Sequence, residues 1–451
     1  MNVPAVRLVR GGGVGLCLLM ALAFARPADA QILGRDRPDR PSRGLFGPDN
    51  RPISQSLTAS GSLGTGLTRT TFDVPPADTT TPVDRSWSRF NAGSGSLTYM
   101  FDRARFGVNS SLGVSGRRSE DGTTRTATDG TAEILFNAPL SRRTTFSGSI
   151  AGGYRPVSVM TVFPSVFGTD PSGLPLDYQL TGEIDHYATG AAMVNVSHAL
   201  SRQSSVYAMS EVTRAWASAT RAQQQTFAGG AGYTYAWRRG LSLQLGYTGR
   251  IGDYARIDPV TGVSSRGRTD SFDVGLNYGR AISLSRRTRL TFGSGTTAIS
   301  DGKRKRYDVT GNANLSYEVG RSWGANLMYD RRAGFIETLS APSFYDDVTA
   351  SLGGLFTRRI SLQVQGGAAR GAVGLSSGNQ YWIYRAAMGL GIAVSRAASV
   401  QFDYLTYRYQ FDDGRFLPTT TNPRINRQTV QVTLQLWAPI FQRSRKPNAT
   451  R

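Results

Sequence analysis

From about Ile53 to Trp437 apolar residues alternate with small or polar ones over stretches of about ten positions, the period of a strand and not of a helix. In the last stretch Val430, Val432, Leu434 and Leu436 share one face, and Thr429, Gln431, Thr433 and Gln435 share the other. The stretch from Tyr307 repeats this, with Val309, Ala313, Leu315, Tyr317 and Val319 set against Thr310, Asn312, Asn314 and Ser316. A third places Trp382, Tyr384, Met388, Leu390, Ile392 and Val394 together. The pattern predicts an all-β chain.

A soluble sandwich also alternates, because one face of each sheet is buried. The connections separate the two folds. Eight short ones recur, each carrying arginine: Asp102–Arg105, Ser141–Arg143, Ser201–Gln203, Arg238–Gly240, Ser285–Arg287, Gly320–Ser322, Arg358–Arg359 and Ser395–Ala397. Longer, more variable loops lie between them, such as Arg117 to Thr128, Arg256 to Thr269 and Asp412 to Ile425. Tight turns alternating strictly with longer loops predict a transmembrane up-and-down antiparallel β-barrel. Eight turns, each with a strand on either side, and a strand at each end of the chain give about 18 strands over residues 53–441. The even count puts both termini at the tight-turn end. About 18 strands enclose an aqueous lumen unless something fills it.

Aromatic residues cluster near the turns: Tyr99, Phe101 and Phe106 at the first, Tyr235 and Trp237 at the fourth, Tyr317 and Trp323 at the sixth, and Trp437 at the end of the last strand. Rings at strand ends predict a girdle at a membrane interface, where one edge is apolar and the other wet. The chain after residue 30 has no apolar run near the roughly 18–20 residues a membrane helix needs.

Ahead of the barrel, Arg7 and Arg10 precede an apolar stretch from Val14 to Ala25 and a small-x-small site at Ala28-Asp29-Ala30. Residues 1–30 therefore read as a secretory signal peptide, with maturation at Gln31. The single cysteine, Cys17, lies inside it, so the exported chain is expected to hold neither a disulfide nor a cysteine metal site. Residues 31–52, rich in proline and arginine, read as a flexible periplasmic lead-in.

The formal charge is +21, and the signal contributes three arginines and one aspartate, which leaves +19. Such a balance usually points to nucleic acid. Export argues against that and leaves phosphate-bearing lipids, lipopolysaccharide or an acidic solute as partners. Much of the charge falls in the tight turns, which hold thirteen arginines against one acid, Asp102. Arg142, Arg143, Arg238, Arg239, Arg286, Arg287, Arg358 and Arg359 thus predict a basic periplasmic rim, continued by a basic tail over residues 442–451. The rim suits lipid phosphates, or acts as a collar that concentrates an anionic solute.

By phase the lumen face is expected to be mostly small and neutral, as at Ser94, Ser96, Thr98, Asn109, Ser111 and Gly113. Charges also project inward: Arg250, Arg289, Arg332 and Arg385, with Glu133, Asp185, Glu211, Asp273, Asp308, Glu318, Asp330 and Asp403. Pairing across strands is the role expected of most. His186 and His198 fall on the lipid face, and Ser197 points away from His198. No catalytic group, metal site or cofactor is predicted.

In signal, strands, turns, aromatic girdle and aromatic last strand the chain resembles the outer-membrane porin class. Its 18-stranded members include sugar-specific porins and exopolysaccharide-export barrels. The resemblance implies a bacterial outer-membrane channel for hydrophilic solutes or an exported, acidic polysaccharide. It implies the barrel-assembly machinery and polysaccharide-export components as partners. The alternatives are a structural or adhesion barrel with a closed lumen, and a barrel hydrolase. One departure is that Phe441 is followed by a basic tail, so that either Trp437 or Phe441 serves internally as the terminal aromatic. Porins commonly fold their third outer loop into the lumen. Here that loop, Val157 to Leu180, is apolar, and Phe163, Phe167 and Leu176 are the candidate constriction residues.

Overall fold

The computed structural model describes residues 53–444 except 73–86, 104, 122, 157–185, 218–222, 239–240, 256–264, 286, 301–304, 321, 336–341, 374–379 and 412–423. The described residues form eighteen strands. The first six are β1 (Ile53–Phe72), β2 (Ser88–Arg103), β3 (Phe106–Asp121), β4 (Thr123–Pro139), β5 (Thr144–Pro156) and β6 (His186–Ala199). Then come β7 (Ser204–Ala217), β8 (Gln223–Arg238), β9 (Leu241–Ala255), β10 (Ser265–Ser285), β11 (Thr288–Ser300) and β12 (Lys305–Val319). The last are β13 (Trp323–Phe335), β14 (Pro342–Leu355), β15 (Ile360–Val373), β16 (Gln380–Ala393), β17 (Ala398–Phe411) and β18 (Arg424–Ser444). Each pairs antiparallel with its neighbours in sequence, and β1 pairs with β18, so the sheet closes on itself. This is a transmembrane β-barrel of 18 strands, the number the turns predict. Closure removes the free edges that hydrocarbon would not tolerate.

The alternation places side chains as the sequence proposes. On β18 Thr433 is wholly buried and Leu434 is 40 % exposed, and Val430, Val432 and Leu436 share the outward face. Around the barrel the outward band includes Leu63, Leu97, Leu112, Val114, Ile134, Val274, Val309 and Met388, all exposed. An apolar belt of this extent facing outward fits lipid and not water.

All eight Arg turns join an even strand to the following odd one, so they share one end of the barrel with the start of β1 and the end of β18. The residues that shape several of them are hydroxyls. Ser141 Oγ accepts N–H groups of Arg143 and Thr144, Ser201 Oγ those of Gln203 and Ser204, and Thr357 Oγ1 those of Arg359 and Ile360. Ser395 Oγ accepts the N–H of Ala397. A hydroxyl that satisfies backbone donors two and three residues on holds a tight turn closed, which leaves the arginines free of that task.

Rings gather outside the barrel at this end. Phe101, Phe106, Phe136 and Phe146 stand side by side across β2 to β5, with centroids 5.5–6.5 Å apart. Trp323 meets Phe356 edge-on at 5.0 Å, and Tyr235, Trp237 and Tyr317 are exposed. Trp437 is the exception to the expected girdle. It pairs with Ser60, shares the inward phase of Thr433 and is buried. A register shift follows at Leu57/Thr58, opposite Phe441 and Pro439. The extra residue turns Phe441 outward, where it is 40 % exposed, because a bulge reverses the faces of everything beyond it. Of the two terminal aromatics, Phe441 therefore faces out. β18 continues past it and pairs with β1 as far as Ser444.

One ladder stops short. β12 and β13 pair only from Gly311↔Arg331 to Val319↔Trp323. Beyond that point β12 remains paired with β11 to Lys305, and β13 with β14 to Phe335. The two strands part at the loop end while each keeps its other neighbour.

Candidate functional site: the lumen wall

The four arginines expected in the lumen all project inward, and each meets a carboxylate. Arg250 Nη2 lies 3.1 Å from Glu211 Oε2, and Arg289 Nη2 lies 3.7 Å from Glu318 Oε1. Arg332 pairs with Asp330. Arg385 Nη2 donates to Asp347 at 2.9 Å and to Thr349 Oγ1 at 2.7 Å. Asp347 is the partner the sequence reading missed, although the alternation of β14 places it inward. Within each pair the charges offset one another, while the pair still presents a local dipole.

The pairs differ in their surroundings. Arg385 and Asp347 are 2 % and 8 % exposed, whereas Arg250 and Glu211 are 32 % and 24 % exposed. The same division runs through the neighbouring side chains. On β17 and β18, Gln401 Nε2 donates to Asp403 Oδ1, Gln431 Nε2 to Asp403 Oδ2, and Gln435 Nε2 to Gln401 Oε1. Ser399 Oγ closes the strip on Gln435. On β1 and β2 the pairs Ser60–Ser96 and Ser62–Ser94 meet at 2.6 Å, and Thr68 meets Thr429 at 3.1 Å. Asp403, Gln431, Thr429, Ser62 and Thr433 are all buried.

Nearer the loop end of this wall the inward positions become large. Tyr381, Ile383, Tyr407, Tyr409, Phe411, Ile425 and Phe90 are buried there. The expectation of a mostly small and neutral lumen face does not extend to this part of the wall. Expected residues such as Ser94, Ser96 and Thr98 are where the phase puts them, but they lie nearer the turns than Phe90 does. Two of the rings fit because the opposed residue is glycine. Phe90 pairs with Gly66, where an added Cβ would come within 2.6 Å of the ring, and Tyr381 pairs with Gly371 in the same manner. Gly367, opposite Arg385, leaves room for the guanidinium, which would lie 2.8 Å from a Cβ. Arg117 stacks over Phe90 at 3.5 Å, and Arg427 Nε donates to Thr68 Oγ1. Rings and guanidinium groups thus lie along the wall.

On the opposite side, β4 to β9, inward residues such as Glu133, Leu135, Glu211 and Arg250 keep contact with the interior space. Asp185 and the side chain of Asp273 lie outside the described residues, as does the loop with Phe163, Phe167 and Leu176.

At the tight-turn end Arg142, Arg143, Arg358 and Arg359 are exposed, as are Arg103, Arg105, Arg202, Arg287 and Arg396. Arg239, Arg286 and the side chain of Arg238 fall outside the described residues. The histidines engage locally. His186 stacks on the outward Tyr154 at 4.7 Å, and His198 Nδ1 shares a 2.8 Å hydrogen bond with Thr144 Oγ1. Among the described residues no group of histidine, cysteine and acids is placed to hold a metal.

No protein-family model and no curated relative matches the chain. Solved barrels superpose on it weakly. The siderophore receptor PirA from Pseudomonas aeruginosa does so with a TM-score of 0.42 at 9% identity, covering 86% of this chain and 81% of its own. OccAB4 of Acinetobacter baumannii gives 0.40 at 11% identity, covering 87% and 100%. OccK11 of Pseudomonas aeruginosa gives 0.41 at 11%, covering 86% and 99%. At such scores they transfer neither substrate nor mechanism.

Proposed function

We propose that this protein is a bacterial outer-membrane channel that passes hydrophilic solutes, with the tight turns and both termini on the periplasmic side. The observation that carries this reading is the closed barrel of eighteen strands, apolar outside, with inward ion pairs such as Arg250–Glu211 and Arg385–Asp347 across strands. A lumen built this way is polar without a strong field, so it admits water and neutral or weakly charged solutes. The exposed arginines at the turns add an anion-attracting mouth, whose potential reaches about one Debye length, roughly 8–10 Å at moderate salt. That mouth supports the narrower reading of an acidic solute, or an acidic polysaccharide delivered by export components, entering from the periplasm. It equally suits the phosphates of membrane lipids and lipopolysaccharide.

Planar-bilayer recording tests both levels. Discrete conductance steps are the expected result; silence would leave the structural barrel with a closed lumen, a reading to which the buried wall lends support. Replacing Arg142, Arg143, Arg286 and Arg287 with Gln should reduce anion preference at low salt. An unmoved reversal potential would assign the rim to lipid contact.

A further inference from the structure

The parting of β12 and β13 has a consequence for what crosses the barrel wall. In a closed ladder successive side chains alternate between lumen and exterior, and groups of opposite phase cannot touch through the backbone. Here two contacts do so. Arg331 shares the outward phase of Tyr329 and Leu327, yet its Nη2 lies 2.6 Å from Oδ1 of Asp308, which shares the inward phase of Ser316. Arg306, of the same inward phase as Asp308, lies over the ring of Phe344 at 4.4 Å, and Phe344 shares the outward phase of Val348. The first contact joins the two strands that have stopped pairing, and the second reaches from β12 past the end of their ladder to β14. The backbone ladder is therefore breached at the loop end of this seam, and side chains bridge the gap in its place.

We propose that this breach is a side port through which a single-chain amphiphile with an anionic head passes between the lumen and the outer leaflet. The proposal rests on the channel reading above. Its geometry suits such a molecule. On the outer side Tyr307 and Val309 are strongly exposed and offer an apolar flank for a tail. In the gap, Arg331 bridges Asp308 and Asp346, and Tyr329 donates to Asp346 at 2.7 Å. On the inner side stands the pair of Arg332 and Asp330. At the ends of this path the arginines are the more accessible partners. Arg306 is 35 % exposed against 13 % for Asp308, and Arg332 44 % against 7 % for Asp330. A carboxylate or phosphate head can exchange from one guanidinium to the next, and the acids hold those groups in place when the port is empty. Backbone groups left unpaired at the parting would be costly in hydrocarbon, so the breach belongs at headgroup depth or against water.

The test uses the full chain in liposomes with a palmitic acid analogue that carries a photoreactive diazirine on its tail. After illumination, labelled peptides are located by mass spectrometry. Label on the lumen-facing residues Thr310, Asp330 and Arg332 is the expected result, because a lipid-borne probe reaches them through the port. A second variant, Val309→Cys with Ala333→Cys, places cysteines where the closed ladder would oppose them. They are joined as a disulfide or, if they stay reduced, by a short bis-maleimide. Closure should lower the lumen label at least tenfold while small-ion conductance persists. Label confined to outward residues in the unmodified protein, or lumen label indifferent to the staple, would overturn the port. Absence of ion conductance in the unmodified protein would instead count against the channel reading and leave the labelling result to stand by itself.

Discussion

The two sides of the lumen are built from the same strands and turns, yet they differ in kind. From β14 through β18 to β2 many inward side chains are buried, among them Asp347, Arg385, Tyr381, Asp403 and Phe90, and the glycines opposite Tyr381 and Phe90 receive their rings. From β4 to β9 the pair of Arg250 and Glu211 and the side chains of Glu133 and Leu135 keep contact with the interior space, although Tyr207 there also seats its ring on a glycine, Gly232. An ion pair on the first side is a piece of packing. On the second it is part of the surface a solute meets. The contrast teaches that inward phase alone does not make a residue pore-lining; its exposure decides whether a mutation is read in stability or in transport.

The strongest way to break the contrast is Asp347→Ala. It leaves Arg385 among buried neighbours without its carboxylate, and stranding a buried ion costs about 3–5 kcal/mol. Urea titration of the refolded barrel should show that loss, and a change below about 1 kcal/mol would mean that water reaches the pair after all. Next comes Leu434→Arg, which sets a charge against hydrocarbon on the outward face at a cost of about 2–4 kcal/mol. Insertion into lipid vesicles should fail or slow, whereas unaltered insertion would place Leu434 away from the bilayer.

A smaller effect is expected from Gly371→Val, which intrudes on the ring of Tyr381 and costs about 1–3 kcal/mol by overpacking. Gly130→Val is the control, since nothing lies within 4 Å of a Cβ there, and equal unfolding midpoints for the two would remove the glycine seat from the account. The smallest stability change belongs to Glu211→Gln on the accessible side, about 0–1 kcal/mol for a partly exposed pair. Its signature is electrical. Arg250 then stands uncompensated in the lumen, and the reversal potential should move toward anions; no movement would show that ions do not pass that wall.

Much of this molecule was legible beforehand. The strand number follows from arginine-bearing turns alternating with long loops, a consequence of the threading order of an up-and-down barrel. The inward arginines followed from phase alone. The aromatic wall did not, for a reason visible in β17. Its apolar positions run Phe402 and Tyr404, then Tyr407, Tyr409 and Phe411, shifting from even to odd. Such a shift ordinarily signals a bulge, yet pairing with β16 is continuous throughout. The environment has changed instead. Toward the loop end the outward positions, Thr406, Arg408 and Gln410, are polar, and the apolar groups turn inside. Asp347 was missed because it lies beside a second aspartate, Asp346, on the other face. Trp437 stands at the strand end where a girdle ring is expected, but its parity with Thr433 and Gln435 turns it inward, and the register with Ser60 agrees.

The hydroxyl-held turns bear also on how the chain reaches its folded form. Each tight turn fixes a hairpin whose partners are close in sequence, so nearly every seam can zip from a nearby point of origin with little loop-closure entropy. The seam between β1 and β18 has no such origin. Its partners, such as Leu63 and Leu434, stand at opposite ends of the chain, and its ladder runs from Ile53↔Ser444 to Phe72↔Ile425. The slow event in assembly is therefore circularisation, with hairpin formation ahead of it. A truncation that shortens β18 should trap an open, curved sheet whose hairpins are already native.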